Sequence, residues 1–215
     1  MFVQRIRVRF QKTGELTVIS HLDLMRAFER ALRRAGLPLR MTEGFNPHPR
    51  LSFPAALGVG IEGAEEVMEF DLADWVTPSE VERRLREQLP AGLNILSVKP
   101  ADPQQTARVQ EVAYRAEPAE AALSEDPRLS AEALEAFRRK PELLVERRRK
   151  GRDKSVDIRP FLISVERDGA GVTLRLKAGP EGSAHPEEVL GLLGFDSRER
   201  RAGFRLARTR VVLAN

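Results

Sequence analysis

Along the first ten residues, Phe2, Ile6, Val8 and Phe10 point one way and Val3, Arg5, Arg7 and Arg9 the other, the alternation of a half-buried strand. Gln4 is the polar exception on the inward side. Leu16–Ile19 reads as a short strand feeding Ser20, a residue suited to cap a helix because its hydroxyl can accept from an N–H three residues on. From there the spacing turns helical: Leu24, Met25, Ala27, Phe28, Ala31, Leu32 and Ala35 form one stripe, with Arg26, Glu29, Arg30 and Arg33 opposite. Gly36 and Pro38 stop the helix. Leu39–Met41 and Leu51–Phe53 are short extended pieces. Glu66–Leu72 alternates again with Met68, Phe70 and Leu72 inward, Pro78–Leu89 is a second helix, and Leu93–Val98 is a closing strand. Strand, helix, strands, helix, strand is the order of a ferredoxin-like α+β unit.

Pro100–Gln105 reads as a linker, and the order then repeats. Val109–Ala116 is a strand, Ser130 opens a helix to Arg139, and Leu143–Arg149 is a strand leading to a hairpin tip near Gly151. Val156–Ile158, Pro160–Arg167 and the strand of Val172, Leu174 and Leu176 follow, then a helix over Pro186–Leu193 and a final strand, Phe204–Leu213. The expected fold is α+β: two tandem ferredoxin-like units with antiparallel sheets and helices on one face, one over 1–99 and a decorated one over 106–215.

Between the first helix and the Glu66 strand lies Gly44-Phe45-Asn46-Pro47-His48-Pro49. Two prolines one residue apart push Asn46 and His48 toward extended backbone and remove two donors, making a rigid non-helical platform. It offers an aromatic ring, an amide and an imidazole within four residues. Phe45, Asn46 and His48, with Arg26 and Arg30 of the neighbouring helix, are the candidate substrate-binding residues, and His21 and His48 the candidate acid and base. His21, Asn46 and His48 are expected to share one concave surface. The structural alternatives are a packing role for His21, and a Phe45 that plugs the core above a cis proline. Gly58-Val59-Gly60-Ile61-Glu62-Gly63 matches G-x-G-x-x-G, but an acidic strand follows where a dinucleotide site needs a helix, so tight turns explain it better.

Ser20-His21-Leu22-Asp23 with Arg26, Glu29, Arg30 and Arg33, then Glu43–Pro49 and Leu57-Gly58-Val59-Gly60, resemble the bacterial radical-SAM-linked proteins, a domain of unknown function. The resemblance covers roughly residues 3–190 and is strongest up to Asp71. Members of that family are fused to, or encoded beside, a radical-SAM protein with a cobalamin-binding-type domain, so the resemblance implies a radical-SAM partner. It carries no reaction with it.

Composition narrows the chemistry further. There is no cysteine among the 215 residues, which excludes disulfides and a thiolate-held iron–sulfur cluster, so no cofactor is expected in this chain and a radical-SAM partner must supply the cluster. His21, His48 and His185 are the only histidines, and their spacing argues against a metal site. The opening residues carry charge with no apolar run behind them, and no stretch approaches a membrane span, so a cytoplasmic protein is expected. The net charge of +4 is uneven: residues 1–103 balance 14 basic against 14 acidic side chains, whereas 104–215 hold 22 against 18. The excess clusters at Arg147, Arg148, Arg149, Lys150, Arg152 and Lys154, and at Arg198, Arg200 and Arg201, a distribution suited to a polyanion such as RNA. Arg5, Arg7 and Arg9 are expected to form cross-strand pairs with Glu69 and Asp71 on a sheet face without aromatic rings, which excludes RNA recognition in the RRM manner. Three functions remain open: an accessory module that binds RNA for a radical-SAM enzyme, an RNA-processing enzyme using His21 and His48, and a protein-docking domain.

Overall fold

Ile6, Val8, Phe10, Leu24, Phe28, Leu32, Met68, Phe70, Val81, Leu85 and Ile95 are buried in one apolar cluster, and it organises the first half of the chain. The computed structural model describes residues 4–149, 151–179, 181–195, 197 and 202–214. The chain divides into two units, 1–108 with 214–215, and 109–213. The protein is α+β and mostly sheet.

In the first unit, β1 (Gln4–Lys12) pairs antiparallel with β3 (Ile61–Leu72) on one side and β4 (Leu93–Ala101) on the other, and β2 (Leu51–Ser52) adds to the far edge of β3. Helices α1 (His21–Arg34) and α2 (Pro78–Arg86) both contribute to the cluster beneath the inward side chains of β1. Each fully buried Phe or Leu there stabilises the fold by about 1.5–3 kcal/mol. Ser20 caps α1 by accepting from Asp23 N at 3.2 Å, and Gly36 leaves the helix at φ 62°, a conformation cheap only for glycine. Thr77 caps α2 in the same way, accepting from Glu80 N.

Three sequence expectations shift. Of the stretch expected as a strand at Leu16–Ile19, Leu16 to Val18 lie in a 3₁₀ turn, Gly14–Val18, because Gly14 takes φ 62° and the Thr17 hydroxyl closes on the Gly14 carbonyl at 2.8 Å. Helix α2 stops at Arg86, three residues early. Strand β4 runs on through Pro100 to Ala101; it ends the row of strands in its unit, the edge position in which a sheet tolerates proline.

In the second unit β5 (Val109–Pro118) is followed by one helical turn, α3 (Ala121–Ser124), and by α4 (Ala131–Arg138), capped by Ser130. Then come β6 (Leu144–Arg149), β7 (Arg152–Asp157), β8 (Leu162–Asp168), β9 (Gly171–Gly179), β10 (Gly182–Ser183), α5 (Pro186–Leu192) and β11 (Phe204–Leu213). The antiparallel order is β8–β9–β5–β11, with β10 also on β9. Val165, Val172, Leu174, Leu176, Val189 and Leu190 are fully buried. Among the described residues strands β6 and β7 pair only with each other, as a ribbon turning at Gly151 with φ 77°. Among the described residues no helix is long and apolar enough to cross a membrane.

Candidate functional site

The register of β1, β2 and β3 lays charged residues out as a grid on the sheet face opposite α1 and α2. Arg5 lies across from Asp71 and Arg7 across from Glu69. On the other side of β3, Ser52 lies across from Glu69, and the Asp71 backbone N–H donates to the Arg50 carbonyl at 3.1 Å. Arg5 grips Asp71 with two bonds, Nε to Oδ1 at 2.8 Å and Nη2 to Oδ2 at 3.1 Å, and Arg7 Nε reaches Glu69 Oε1 at 2.8 Å. Arg9 pairs with Glu65. These are the expected cross-strand pairs, but the face is not the open one the alternation implies: Glu69 is 2% exposed and Asp71 3%. Burial lowers and Asp71 raises the proton affinity of Arg5, with the hydrogen bond to Asp71 the larger effect, so its guanidinium is held above its ordinary value.

Above the grid opens a cleft of about 310 Å³, walled by Arg5, Thr42, Pro49, Arg50, Leu51, Ser52, Glu69, Asp71 and Thr106. The 102–106 segment helps to close it, since Arg5 Nη1 donates to the Gln105 carbonyl at 2.8 Å. Two groups in this wall have unspent capacity. Glu69 Oε2 is buried without a hydrogen-bond partner, and the Arg50 guanidinium makes no ion pair with a described residue. The sequence marks Glu69 only as a cross-strand ion-pair partner and does not mark Arg50 at all, because an acidic strand residue and an arginine after a proline share no pattern until the register puts them together.

The proline-rich segment is the tip of a hairpin that rises beside this cleft. Met41 bridges Pro49, Thr42 N donates to the His48 carbonyl at 2.7 Å, and His48 N donates to Thr42 Oγ1 at 3.0 Å. Glu43 to His48 are exposed. Phe45 is 104% exposed, so it does not plug the core, and no described peptide bond is cis. Asn46 and His48 stand on the same tip. His21 is elsewhere in character: half-buried at the start of α1, its ring meets Phe53 edge-on at 5.4 Å, and Phe53 packs in turn on Phe10 and Phe28. None of His21, Asn46 and His48 lines the cleft. Arg26 and Arg30 are exposed on α1, and Arg26 reaches Asp23 at 3.4 Å. Among the described residues no three His, Asp or Glu side chains gather as a metal site would require.

In the second unit the basic ribbon separates into two kinds of residue. Arg147 is half-buried and donates from Nε and Nη2 to the Glu188 carboxylate at 2.7 and 2.8 Å. Arg148, Arg152 and Lys154 are exposed and make no ion pair with a described residue, although Asp153 sits across from Arg148. Arg149 is described by its backbone alone, opposite Arg152. Lys150, Arg198, Arg200 and Arg201 lie outside the described residues.

A family model described as an uncharacterized protein conserved in bacteria, DUF2344, matches residues 5–186. The chain belongs to this family. DUF2344 has no assigned function, and its description makes no mention of radical-SAM proteins. No curated protein matches the chain. A crystal structure of an unknown protein from Galdieria sulphuraria is similar at 17% identity over 100% of both chains, with a TM-score of 0.28, a likeness too weak to carry argument.

Proposed function

We propose that this DUF2344 protein is a non-catalytic accessory module that binds RNA, or a substrate containing RNA, and presents it to a radical-SAM partner. The observation that carries the RNA reading is the β6–β7 ribbon, where Arg148, Arg152 and Lys154 face solvent with no carboxylate partner among the described residues while Arg147 beside them is tied to Glu188. Like charges held together on a two-stranded ribbon repel one another, and a phosphate backbone relieves that repulsion. The exposed Phe45 ring adds a surface on which an unstacked base can rest. The partner is supported by the resemblance of the His21–Pro49 motifs to radical-SAM-linked proteins. Because the chain has no cysteine, a thiolate-held iron–sulfur cluster belongs to that partner.

The same reading extends to fold. The first unit runs β-α-β-β-α-β with its first and third strands side by side, and the second follows the same order through β5, α4, β8, β9, α5 and β11 once α3, the β6–β7 ribbon and β10 are set aside as additions, so we read both as ferredoxin-like, the second decorated. A protein-docking role is the competing reading, favoured by the full exposure of Phe45. Titrating the full chain with a labelled single-stranded RNA at several salt concentrations decides between them. Binding that weakens steeply with salt supports the module proposed. Absence of binding, together with a partner retained from cell extract after nuclease treatment, overturns it in favour of docking.

A further inference from the structure

The cleft beside the Phe45 hairpin has a specific chemical demand. Its charges nearly cancel: Asp71 is held at both oxygens by Arg5, and Glu69 Oε1 by Arg7. What remains is one cation, Arg50, and one acceptor, Glu69 Oε2, which belongs to a side chain 2% exposed and has no hydrogen-bond partner. A buried carboxylate oxygen left unpaired is costly, so a ligand that brings a donor to it recovers more than one that pairs with a solvated group. Arg50 is paired through the backbone with Asp71, one alternate position along β3 from Glu69, a diagonal spacing of roughly 7–8 Å between residues on one face. The complementary ligand therefore carries an anion and a hydroxyl or N–H donor a few ångströms apart, and the cleft of about 310 Å³ takes something of nucleotide size.

We infer that this cleft is a ribonucleotide subsite in which Glu69 Oε2 accepts the ribose 2′-hydroxyl and Arg50 takes the adjoining phosphate. The inference rests on the RNA-binding reading and adds discrimination to it. The 2′-hydroxyl is the group by which a protein tells RNA from DNA, and a buried carboxylate is a strong acceptor for it. The ribbon cations, by contrast, read charge alone. No covalent step is involved.

The test uses the full-length protein and three labelled single-stranded probes of one sequence: RNA, the same RNA with 2′-O-methyl groups, and DNA. The methyl ether removes the donor and keeps the backbone charge. Wild-type protein should bind RNA about tenfold or more tightly than either other probe, the scale of one hydrogen bond to a charged acceptor. Glu69→Gln should collapse the RNA to 2′-O-methyl ratio toward one. Arg50→Ala, which leaves the Glu69–Arg7 pair untouched, should weaken all three probes while preserving their ratio, and thermal melting of each variant shows that it is folded. If RNA binds but wild type does not distinguish the probes, the subsite is overturned and the RNA reading stands. Should no probe bind at all, both fall.

Discussion

The Arg147 guanidinium and the Glu188 carboxylate form a two-pronged ion pair, 2.7 and 2.8 Å, and Arg147 Nη2 also donates to the Ser183 carbonyl at 2.6 Å. The pair ties the β6 strand to the start of α5, where the His185 backbone N–H donates to Glu188 as well. An arginine counted with the RNA-binding cluster is thereby fixed to the protein itself. Arg147→Ala should cost about 1–2 kcal/mol of stability at neutral pH, since it strips a partly buried carboxylate of its main donor. Its effect should also depend on pH. Burial pushes the Glu188 carboxyl up, but Arg147 and the His185 N–H outweigh it, so the folded group lies below its ordinary 4.5. Such a group contributes stability above the unfolded value and loses it as pH falls through the folded one. Urea unfolding of both proteins at neutral pH and well below 4.5 should therefore show the gap between them narrowing in acid. A gap constant with pH would mean that the pair contributes nothing through ionisation.

The exposed half of the ribbon should behave in the opposite way. Replacing Arg148, Arg152 and Lys154 together by Ala should leave the melting temperature nearly unchanged, because all three are exposed and none makes an ion pair with a described residue. RNA affinity should fall and the slope of log K against log salt should flatten by about two, at roughly 0.7 per phosphate contact for a single strand. Unchanged affinity and slope in the triple variant would take the ribbon off the binding surface.

Much of this architecture was legible in the sequence because burial alternates cleanly where one sheet face is covered. The inward set Val172, Leu174 and Leu176 follows from period two alone and the start of α1 from Ser20, while the final strand Phe204–Leu213 keeps its expected bounds although its register shifts between Arg208 and Arg210. The 3₁₀ turn at Gly14–Val18 was missed because Leu16 and Val18 carry a strand's alternation while the positive φ of Gly14 turns the chain instead. The cleft was hidden for another reason. Glu69 and Arg50 become neighbours only through the pairing of β2 with β3, and two residues of ladder, Leu51 and Ser52, leave almost no trace in composition. His21 and His48 are candidate acid and base by residue type, yet His21 meets an aromatic ring and His48 stands at an exposed tip.

Gln4, the polar residue among the inward positions of β1, is 8% exposed and is fully partnered by one residue: its Nε2 donates to the Val76 carbonyl and its Oε1 accepts from the Val76 N–H, both at 2.9 Å. The amide thus satisfies the loop between β3 and α2 as a neighbouring strand would. Gln4→Leu should lower stability by about 2–3 kcal/mol despite the gain in apolar character, because two backbone groups lose their partners at once. Denaturant unfolding measures it. A neutral or stabilising substitution would show that water replaces the amide at no cost.

Phe45 offers the sharpest separation of function from stability. Its ring is 104% exposed, at the tip of a hairpin closed by Thr42 and His48, so no core packing is lost when it is removed. Phe45→Ala should shift stability by less than about 0.5 kcal/mol. A base stacked on an aromatic side chain is worth about 1–3 kcal/mol, so the same substitution should weaken RNA binding by roughly fivefold to a hundredfold. Stacking releases no counterions, and the salt slope should therefore stay as in wild type, unlike that of the ribbon variant. Phe45→Trp, which keeps and enlarges the ring, should bind at least as tightly as wild type. Running stability, affinity and slope on Phe45→Ala and Phe45→Trp together separates the outcomes: lost affinity with an unchanged slope assigns the ring to base stacking. Full RNA affinity in Phe45→Ala, with a protein partner no longer retained, would assign the hairpin tip to protein docking.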